Sequence, residues 1–497
     1  MAESRLEEIR QVRLQKLAQL KEKGINPFPA SSKKNTNIGD VVADFKDLEN
    51  TQVVVAGRMN SIREHGKLVF ADLVDQTGSV QLFIRDGDLV ETNTDNSNIG
   101  FSDLNLFDSG DLVECEGRVV KTKTGQISIA AVKLRMLGKS LRPMPSSWSG
   151  LSDTEERFRK RYLDLLINPQ VRKRFDTKSR VFKETRNYLD SLGFMEVETP
   201  VFHPQYGGAN AKPFKSHMNA LGVDFYLRIA FELYLKRLIV GGYEKVYEIG
   251  RDFRNEGVDL THSPEFSMIE WYEAYADYKR VMSVTEGLFK HLADKIIGST
   301  LIKVGEVEVE IGKPWRMVEM TKLIEERLNI VVEEMEKDEL IDFANKNKVE
   351  LVGGETKGQL IFTIFDELIS KTLIEPTWVI DYPVEVSPLS KPHRSKPGMV
   401  ERFEGYIGGK EICDGWSELT DPLEQRERFE SDVKAVRKKT DEAQQVDEDY
   451  LEAMEYGMPP VGGIGIGMER LTMFFTNVWS IRENILFPTL KPRESAS

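Results

Sequence analysis

The segment FRNE at residues 253–256 constrains this chain more than any other feature of its sequence. Strand-like alternation of apolar and polar residues precedes and follows it, which indicates two antiparallel strands joined by a long loop. A fixed guanidinium there suits carboxylate or phosphate oxygens, whereas free carboxylates suit an ammonium or a metal ion. Taken alone, the motif also fits a salt-bridged surface hairpin. In the first interpretation, the two strands and their loop would bring the following side chains together at one cleft: Arg254, Glu256, Phe266, Glu270 and Tyr272.

Composition places the chain among soluble globular proteins. With 497 residues, of which 40% are hydrophobic and 30% charged, we expect two or three domains. The sequence has no long apolar run, and its first residues are charged, so we expect a cytoplasmic protein without membrane contact. Cys115 and Cys413 lie far apart, which argues against a disulfide framework. The net charge of −13 means that a nucleic-acid partner would need local basic surface.

The first 140 residues predict a helical extension followed by a small barrel. Residues 1–48 are interpreted as this extension, in which residues 4–24 contain apolar residues at helical spacing, stopped by Gly24 and Pro27. The opposite face of this helix either is solvated or rests on a phosphate backbone; it carries Arg10, Arg13, Lys16, Lys21 and Lys23. Residues 49–140 read as about five short strands, typical of an oligonucleotide-binding (OB) fold. Phe70 and Phe83 lie on these strands, either in the core or as stacking platforms for bases.

The remainder predicts one larger domain of mixed α and β structure. Residues 141–155 are rich in Pro, Ser and Gly and are interpreted as a linker, and residues 156–497 as the second domain. A helix is predicted over 176–193, followed by a strand at 194–199 that Pro200 closes. The segment at about 320–376 reads as several helices with little site chemistry, and we interpret it as an insertion.

A second glycine-rich motif lies near the end of the chain. GGIGIGMER at 462–470 predicts a strand whose backbone lies close to something flat, followed by a helix with Arg470 in its first turn. Its spacing differs from GxGxxG, and the chain has no GxxxxGK[ST] sequence. A dinucleotide-binding fold and a P-loop are therefore disfavoured.

Together these motifs resemble a known family. FRNE, the strand closed by Pro200 and GIGIGMER resemble the three signature motifs of class II aminoacyl-tRNA synthetases. Within that class the chain is similar to lysyl-tRNA synthetases over nearly its whole length, through GGANAKPF, LRIAFELYLK, HSPEF, AYADY and SPL. The resemblance implies an α+β fold, with an N-terminal OB-fold β-barrel that binds the anticodon. It also implies a class II catalytic domain with a mainly antiparallel sheet flanked by helices, and a homodimer formed around 176–200.

The same resemblance implies an activity and its ATP-binding residues. The enzyme would activate lysine to lysyl-adenylate with ATP and transfer lysine to the 3′ end of tRNA(Lys). Arg254 would bridge the α-phosphate and the amino-acid carboxylate. Arg470, the other catalytic candidate, would stack on adenine opposite Phe266 and contact the terminal phosphates. His262 would lie along the triphosphate, and Glu256 would orient the adenine end.

Carboxylates matching the family's metal ligands stand at Glu404 and Glu411. By resemblance they hold Mg²⁺ against the phosphates; alternatively they are an exposed pair on a strand and the following turn. No side chain need act as nucleophile or base, because the substrate carboxylate is already ionised. Positioning and electrostatic stabilisation would then supply the rate.

Lysine recognition is implied at an acidic pocket. Glu418 and Tyr272 match the partners of the substrate's side-chain ammonium, while Glu232 and the backbone at Gly208 match the contacts of its α-amino group. Glu270 belongs to the same pocket. Several glutamates around one small substrate repel one another, and a cationic substrate relieves that repulsion.

The chain departs from the family at two substrate-facing positions. Asp414 stands where an Asn normally donates to the substrate carboxylate, which an ionised Asp cannot do. Asp414 either turns to a metal ion or an ammonium, which is the outcome we favour, or is protonated, or signals a lysine analogue as substrate. Trp416 stands where Phe or Tyr is usual, and its ring can still cover the lysine methylenes.

The residues expected to bind the anticodon match the family in part and depart from it in part. By resemblance Phe70 stacks on a base, Gln81 hydrogen-bonds one, and Arg58 contacts a phosphate or base. Gln126 stands where Glu is frequent.

Two rivals to the main hypothesis remain: a paralogue that adenylates lysine but modifies a protein, and a non-catalytic tRNA-binding paralogue. The barrel argues against the first, and the retained arginines and carboxylates argue against the second.

Overall fold

A computed structural model describes residues 2–94, 97–145, 151, 153–209, 211–436 and 446–493. The chain forms two compact units, Met1–Leu151 and Ser152–Ser497. Part of the predicted linker, at 146–150 and 152, lies outside the described residues, as does Asn210 of the GGANAKPF motif. No helix among the described residues is long and apolar enough to cross a membrane.

The first unit is built on a closed five-stranded barrel of order β1-β2-β3-β5-β4. Its strands are β1 Gln52–His65, β2 Leu68–Val74, β3 Ser79–Arg85, β4 Leu112–Lys121 and β5 Ile127–Gly138. Its helices are α1 Ala2–Glu22, α2 Ile38–Ala43 and α3 Phe45–Leu48, with a 3₁₀ turn at Phe101–Leu106. Only β3 and β5 pair in parallel; the other neighbours are antiparallel. The predicted OB-type barrel is confirmed.

Burial alternates along the barrel strands, and this decides which face each aromatic residue takes. On β2, Val69, Ala71 and Leu73 are buried in the core, so Phe70 between them projects outward and is half-buried. Phe83 on β3 lies directly opposite, with ring centroids 5.6 Å apart. Both rings therefore lie on the barrel's outer face rather than in its core.

The predicted basic face of α1 is largely used inside the first unit. Arg13 is 7% exposed and donates to the backbone carbonyls of Ser109, Ser140 and Arg142. Lys16 forms an ion pair with Asp108 at 2.8 Å, and Lys23 forms one with Asp103 at 3.1 Å. These three cations thus fix the helix to the barrel, which was not among the expected roles.

The second unit is organised around an eight-stranded sheet of order β14-β15-β16-β17-β18-β11-β10-β6. The pairs β14/β15 and β10/β6 are parallel and the rest antiparallel, which confirms the predicted sheet. Two smaller sheets hold β7-β9-β8 and β12-β13. The strands are β6 Met195–Glu196, β7 Phe202–His203, β8 Lys215–Met218, β9 Val223–Leu227, β10 Lys245–Phe253, β11 Glu265–Ala274, β12 Leu301–Val304, β13 Val307–Glu310, β14 Arg316–Glu319, β15 Thr377–Pro383, β16 Met399–Ile407, β17 Lys410–Ser417 and β18 Val461–Gly467.

Helices cover the sheet. They are α4 Thr154–Arg159, α5 Arg161–Ile167, α6 Pro169–Ser191, α7 Glu232–Val240, α8 Tyr278–Leu292, α9 Met320–Leu328, α10 Lys337–Lys346, α11 Lys357–Leu368, α12 Pro422–Val436, α13 Glu448–Glu455 and α14 Met468–Thr476. A π-helical turn at Ala293–Ile297 and 3₁₀ turns at Ser370–Thr372, Val384–Val386 and Ile481–Asn484 complete the set. Helices α6, α8 and α14 pack on one face of the central strands, against Ile269, Trp271, Ile464 and Ile466.

Two predicted elements differ in length from the structure. The helix expected at 176–193 is α6, which begins at Pro169 because proline suits the first helical position, where its missing N–H costs no bond. The strand expected at 194–199 is only β6, two residues long. The segment at about 320–376 contains α9, α10 and α11; its status as an insertion stays a prediction.

Candidate active site

Strand register gathers the predicted residues on one face of the central sheet. Directly opposite residues of antiparallel strands project to the same side. One cross-strand row consists of Glu404, Asp414, Gly465 and Glu270. The adjacent row consists of Arg402, Trp416, Gly463 and Tyr272. Because the other face is packed against helices, these two rows form the floor of the site.

Glycines on β18 make room for the neighbouring side chains. A methyl group added at Gly463 would lie 2.4 Å from both Glu418 Oε1 and Tyr272 Cε1. One added at Gly465 would lie 2.9 Å from the end of Met268. The flat object that the glycine-rich motif predicted is therefore the Tyr272 ring on the next strand.

A cavity of about 420 Å³ lies over this floor. Its wall includes the following predicted residues: Gly208, Glu232, Arg254, Glu256, His262, Phe266, Glu270, Tyr272, Glu411, Asp414, Trp416 and Arg470. Glu404 and Glu418 are buried and are not part of that wall.

Arg254 and Arg470 reach the same cavity from different elements. Arg254 follows the end of β10, where its backbone N–H donates to Pro264 O at 2.9 Å and ties the two ends of the loop together. Its guanidinium carbon lies 5.1 Å from the centroid of the Phe266 ring. Arg470 lies in the first turn of α14, as predicted, and pairs with Glu411 at 3.1 Å. In this structure Arg254, and not Arg470, stands over Phe266.

The long loop between β10 and β11 presents His262 and Glu256. His262 Nδ1 lies 2.8 Å from Asp259 Oδ2, and both side chains are more than half exposed. Glu256 accepts a hydrogen bond from the backbone N–H of Lys212 at 3.4 Å. Both are therefore surface groups at the cavity mouth.

A buried lysine, which the sequence interpretation missed, sits at the acidic end. The Lys236 ammonium is fully buried and forms ion pairs with Glu232 and Glu418. Burial works to lower the pKa of Lys236, but the two carboxylates outweigh it and raise that pKa above its usual range. The i,i+4 spacing of Glu232 and Lys236 on α7 was the available signal.

Glu270 and Tyr272 stand beside this group. Tyr272 donates to Glu270 Oε2 at 2.9 Å, and both are buried. Burial raises the pKa of Glu270 well above its ordinary value, and the Glu232 and Asp252 carboxylates raise it further. This end of the cavity therefore favours the arrival of positive charge.

A second missed residue, Arg402, organises the other acidic cluster. It binds Asp414 through two parallel hydrogen bonds of 2.9 and 2.8 Å and Glu404 through one of 2.7 Å. Burial raises the pKa of Asp414 to about 6 and that of Glu404 to about 8, while Arg402 opposes both shifts. Asp414 thus faces a guanidinium, and its turning to a metal ion or an ammonium stays a prediction.

The two carboxylates predicted to bind the metal ion, Glu404 and Glu411, have different hydrogen-bond partners. Glu404 accepts from Arg402 and Tyr406, whereas Glu411 lies at the start of β17, not in a turn, and pairs with Arg470. Among the described residues no group of three or more His, Cys, Asp or Glu side chains is arranged to hold a metal ion. Two carboxylates alone match the sparse protein ligation of Mg²⁺ that also binds phosphates and water.

Comparison with known proteins assigns this architecture to a class. Residues 153–491 match the family model described as tRNA synthetases class II (D, K and N). Residues 53–137 match the model of an OB-fold nucleic acid binding domain. The chain therefore belongs to the class II tRNA synthetases of the D, K and N group.

Similar curated proteins narrow the assignment within that class. A lysine–tRNA ligase of Clostridium tetani is 45% identical over 99% of this chain and 97% of its own. Those of Thermoanaerobacter pseudethanolicus and Carboxydothermus hydrogenoformans are each 44% identical, over 98% and 99% of this chain and over 97% and 100% of their own. Within its class the chain belongs to the lysine–tRNA ligase family.

Replacing Gly463 by alanine tests whether β18 must lie close to the side chains of Tyr272 and Glu418. Because the added methyl would collide with Tyr272 and Glu418, we expect Gly463→Ala to raise the Michaelis constant for lysine at least about tenfold, roughly 1.4 kcal/mol. Lysine-dependent ATP–pyrophosphate exchange measures this. Gly467→Ala is the control on the same strand, since its methyl meets only the Arg470 side chain, at 3.7 Å. Equal effects in the two variants would contradict the steric argument.

Proposed function

We propose that the cavity over β16, β17, β18 and β11 performs both steps of the lysine–tRNA ligase reaction. In the first step a lysine carboxylate oxygen attacks the α-phosphorus of ATP, and pyrophosphate leaves. In the second step a hydroxyl of the tRNA's terminal adenosine attacks the lysyl carbonyl, and AMP leaves. The observation that carries this proposal is one cavity with two arginines and, at another part of its wall, buried carboxylates.

The arginines bring two anions together. Arg254 holds the α-phosphate and the amino-acid carboxylate, whose mutual repulsion otherwise opposes attack. Arg470 holds adenine and the terminal phosphates, which requires it to exchange its bond with Glu411 for the nucleotide. Phe266, already beneath Arg254, offers a face for adenine, while His262 and Glu256 at the mouth contact the triphosphate and the adenine end. Catalysis then rests on positioning, because the attacking carboxylate is already ionised.

The acidic end selects the amino acid. Glu232 and the backbone at Gly208 bind the α-amino group, and Glu418 with Tyr272 binds the side-chain ammonium. The Trp416 ring covers the methylenes of the substrate. The raised pKa of Glu270 supports this assignment, because a neighbouring substrate ammonium would offset the repulsion that raises it.

Glu404 and Glu411 would hold Mg²⁺. When bound, the ion supplies positive charge to the phosphate oxygens. Glu411 lies on the cavity wall beside Arg470, and Glu404 lies on the neighbouring strand, fixed by Arg402. Two carboxylates together with phosphate oxygens and water are the usual environment of this ion.

The barrel binds the anticodon of tRNA(Lys). Phe70 and Phe83 present a pair of rings on its outer face, and Gln81 on the same face accepts a hydrogen bond from Ser128 at 3.1 Å. Arg58 is the weakest of the three anticodon candidates, because its guanidinium already donates to Gly110 O at 2.6 Å.

The enzyme acts as a cytoplasmic homodimer. Apolar side chains near the predicted interface support the dimer: Met195 is 47% exposed and Phe202 is 49% exposed. Such residues on consecutive short strands suit burial against a second copy.

The rival functions predict different exchange behaviour. We expect lysine alone among the twenty amino acids to support rapid ATP–pyrophosphate exchange, with or without tRNA, and we expect tRNA(Lys) to become charged. Lysine-dependent exchange without charging of any tRNA would favour the protein-modifying paralogue. Absence of lysine-dependent exchange would reject the proposal and favour the non-catalytic paralogue.

Asp414→Asn tests the departure from the family. Asparagine can accept from Arg402 and also donate to the substrate carboxylate, so we expect the Michaelis constant for lysine to fall or stay unchanged. Asp447→Asn is the control, because Asp447 also pairs with an arginine but lies outside the cavity wall: one nitrogen of Arg237 donates to both of its oxygens, at 2.8 and 2.9 Å. A fall in turnover of about a hundredfold, roughly 2.7 kcal/mol, would instead show that the carboxylate has a required role such as metal binding.

Phe70→Ala tests the anticodon surface. Loss of one stacking ring is expected to raise the Michaelis constant for tRNA(Lys) about tenfold, within the 1–3 kcal/mol typical of base stacking, and to leave lysine-dependent exchange unchanged. Phe28→Ala is the control, since Phe28 is 51% exposed but lies outside the barrel strands. Aminoacylation kinetics at varied tRNA concentration measure both, and an unchanged constant for Phe70→Ala would remove Phe70 from the anticodon site.

A further inference from the structure

The two carboxylate oxygens of Glu418 have different surroundings. Oε2 takes part in the ion pair with Lys236 and accepts from the Trp416 indole N–H at 2.8 Å. Oε1 is buried and has no hydrogen-bond partner among the described residues. A buried carboxylate oxygen without a partner is costly, so this atom marks a place for a donor that the folded chain does not supply.

Oε1 faces the side of β18 that also lines the cavity. A methyl group on Gly463 would lie 2.4 Å from it, and Gly465, two residues further along the same face, is part of the cavity wall. The unpartnered oxygen therefore lies next to the Tyr272 ring, on the same face of β18 as the floor of the amino-acid pocket.

The charges in this group leave room for one more cation. Glu232 and Glu418 together carry two negative charges when ionised, and Lys236 between them carries one positive charge. The Lys236 ammonium also lies 5.9 Å from the Tyr272 ring centroid and 6.0 Å from that of Trp416. It is thus enclosed between two carboxylates and two rings, and its ion pair with Glu418 is made to Oε2.

We propose that Lys236 and Trp416 are positioning residues for amino-acid selection: they occupy Oε2 of Glu418 and leave Oε1 as the acceptor for the substrate's side-chain ammonium. The inference rests on the proposed function and deepens it. Neither residue need touch the reacting atoms, because each acts through Glu418.

This arrangement discriminates between the two basic amino acids. An ammonium is a compact charge whose donors point in three directions, so one oxygen is enough for it. A guanidinium binds a carboxylate best through two parallel hydrogen bonds and needs both oxygens. With Oε2 occupied, Glu418 accepts lysine and offers arginine only half of its preferred contact.

Trp416→Phe and Lys236→Met test the proposal in the full-length enzyme. Phenylalanine keeps a ring but removes the N–H donor, so we expect the Michaelis constant for lysine to rise about fivefold, a loss typical of one hydrogen bond. Lys236→Met should raise it at least about thirtyfold, since it removes a buried charge partner. In both variants the Michaelis constant for ATP should stay within about twofold.

Inhibition by arginine separates positioning from a merely structural role. Each single variant leaves Oε2 with one donor, so the ratio of the arginine inhibition constant to the lysine Michaelis constant should fall in part in each. It should fall at least about tenfold when Trp416→Phe and Lys236→Met are combined, because the two-bond contact then becomes available. Lys139→Met is the matched control: Lys139 is another fully buried lysine, paired with Asp111 at 2.8 Å in the barrel. It should lower stability without altering this ratio.

Several outcomes would overturn the proposal. An unchanged ratio in both variants, or a parallel rise in the Michaelis constants for lysine and ATP, would mean that Lys236 and Trp416 only support the fold. If Lys236→Met fails to fold, Trp416→Phe carries the test, since it removes no buried charge. A wild-type enzyme with no lysine-dependent exchange would instead reject the proposed function, so the two failures are distinguishable.

Discussion

The site depends on the register of four antiparallel strands, β16, β17, β18 and β11. Alternation sends Ile269 and Trp271 toward the helices and Glu270 and Tyr272 toward the cavity. A slip of one residue would exchange these faces and bury the carboxylates among apolar helices. The glycines of β18 make room on this floor, because a side chain at Gly463 would collide with Tyr272 and Glu418. Register and glycine spacing together therefore determine both the core and the chemistry of the second unit.

Buried carboxylates in such numbers need internal cations. Arg402 serves one cluster and Lys236 the other, and each is enclosed between acidic partners from two different elements or strands. Removing one partner of a buried ion pair is far more damaging than replacing both, since it leaves a charge without compensation. The empty cavity is thus already organised around fixed charges, which limits the rearrangement that substrate binding requires.

The sequence predicted the features that follow from local pattern. Strand alternation and glycine spacing indicated β10, β11 and β18, and the barrel strands followed from turn signals. The sequence could not show which side chains from distant parts of the chain contact each other. Lys236 reads as an ordinary residue of an amphipathic helix, and its ion pair with Glu418 joins residues that are far apart in the sequence. The helix predicted over 176–193 begins earlier, at Pro169, because proline is favourable in a first turn.

Asp414, which stands where the family has an asparagine, shows how the structure accommodates one substitution. Considered from sequence, it adds a negative charge beside the expected substrate carboxylate. In the structure Arg402 offsets that charge through two hydrogen bonds, so Asp414 does not stand free in the cavity. The same guanidinium also holds Glu404, and one positive charge then serves two carboxylates. Because this guanidinium is shared between two neighbouring carboxylates, the substitution adds an acidic group at the place where Mg²⁺ is proposed to bind, and that group is held by Arg402.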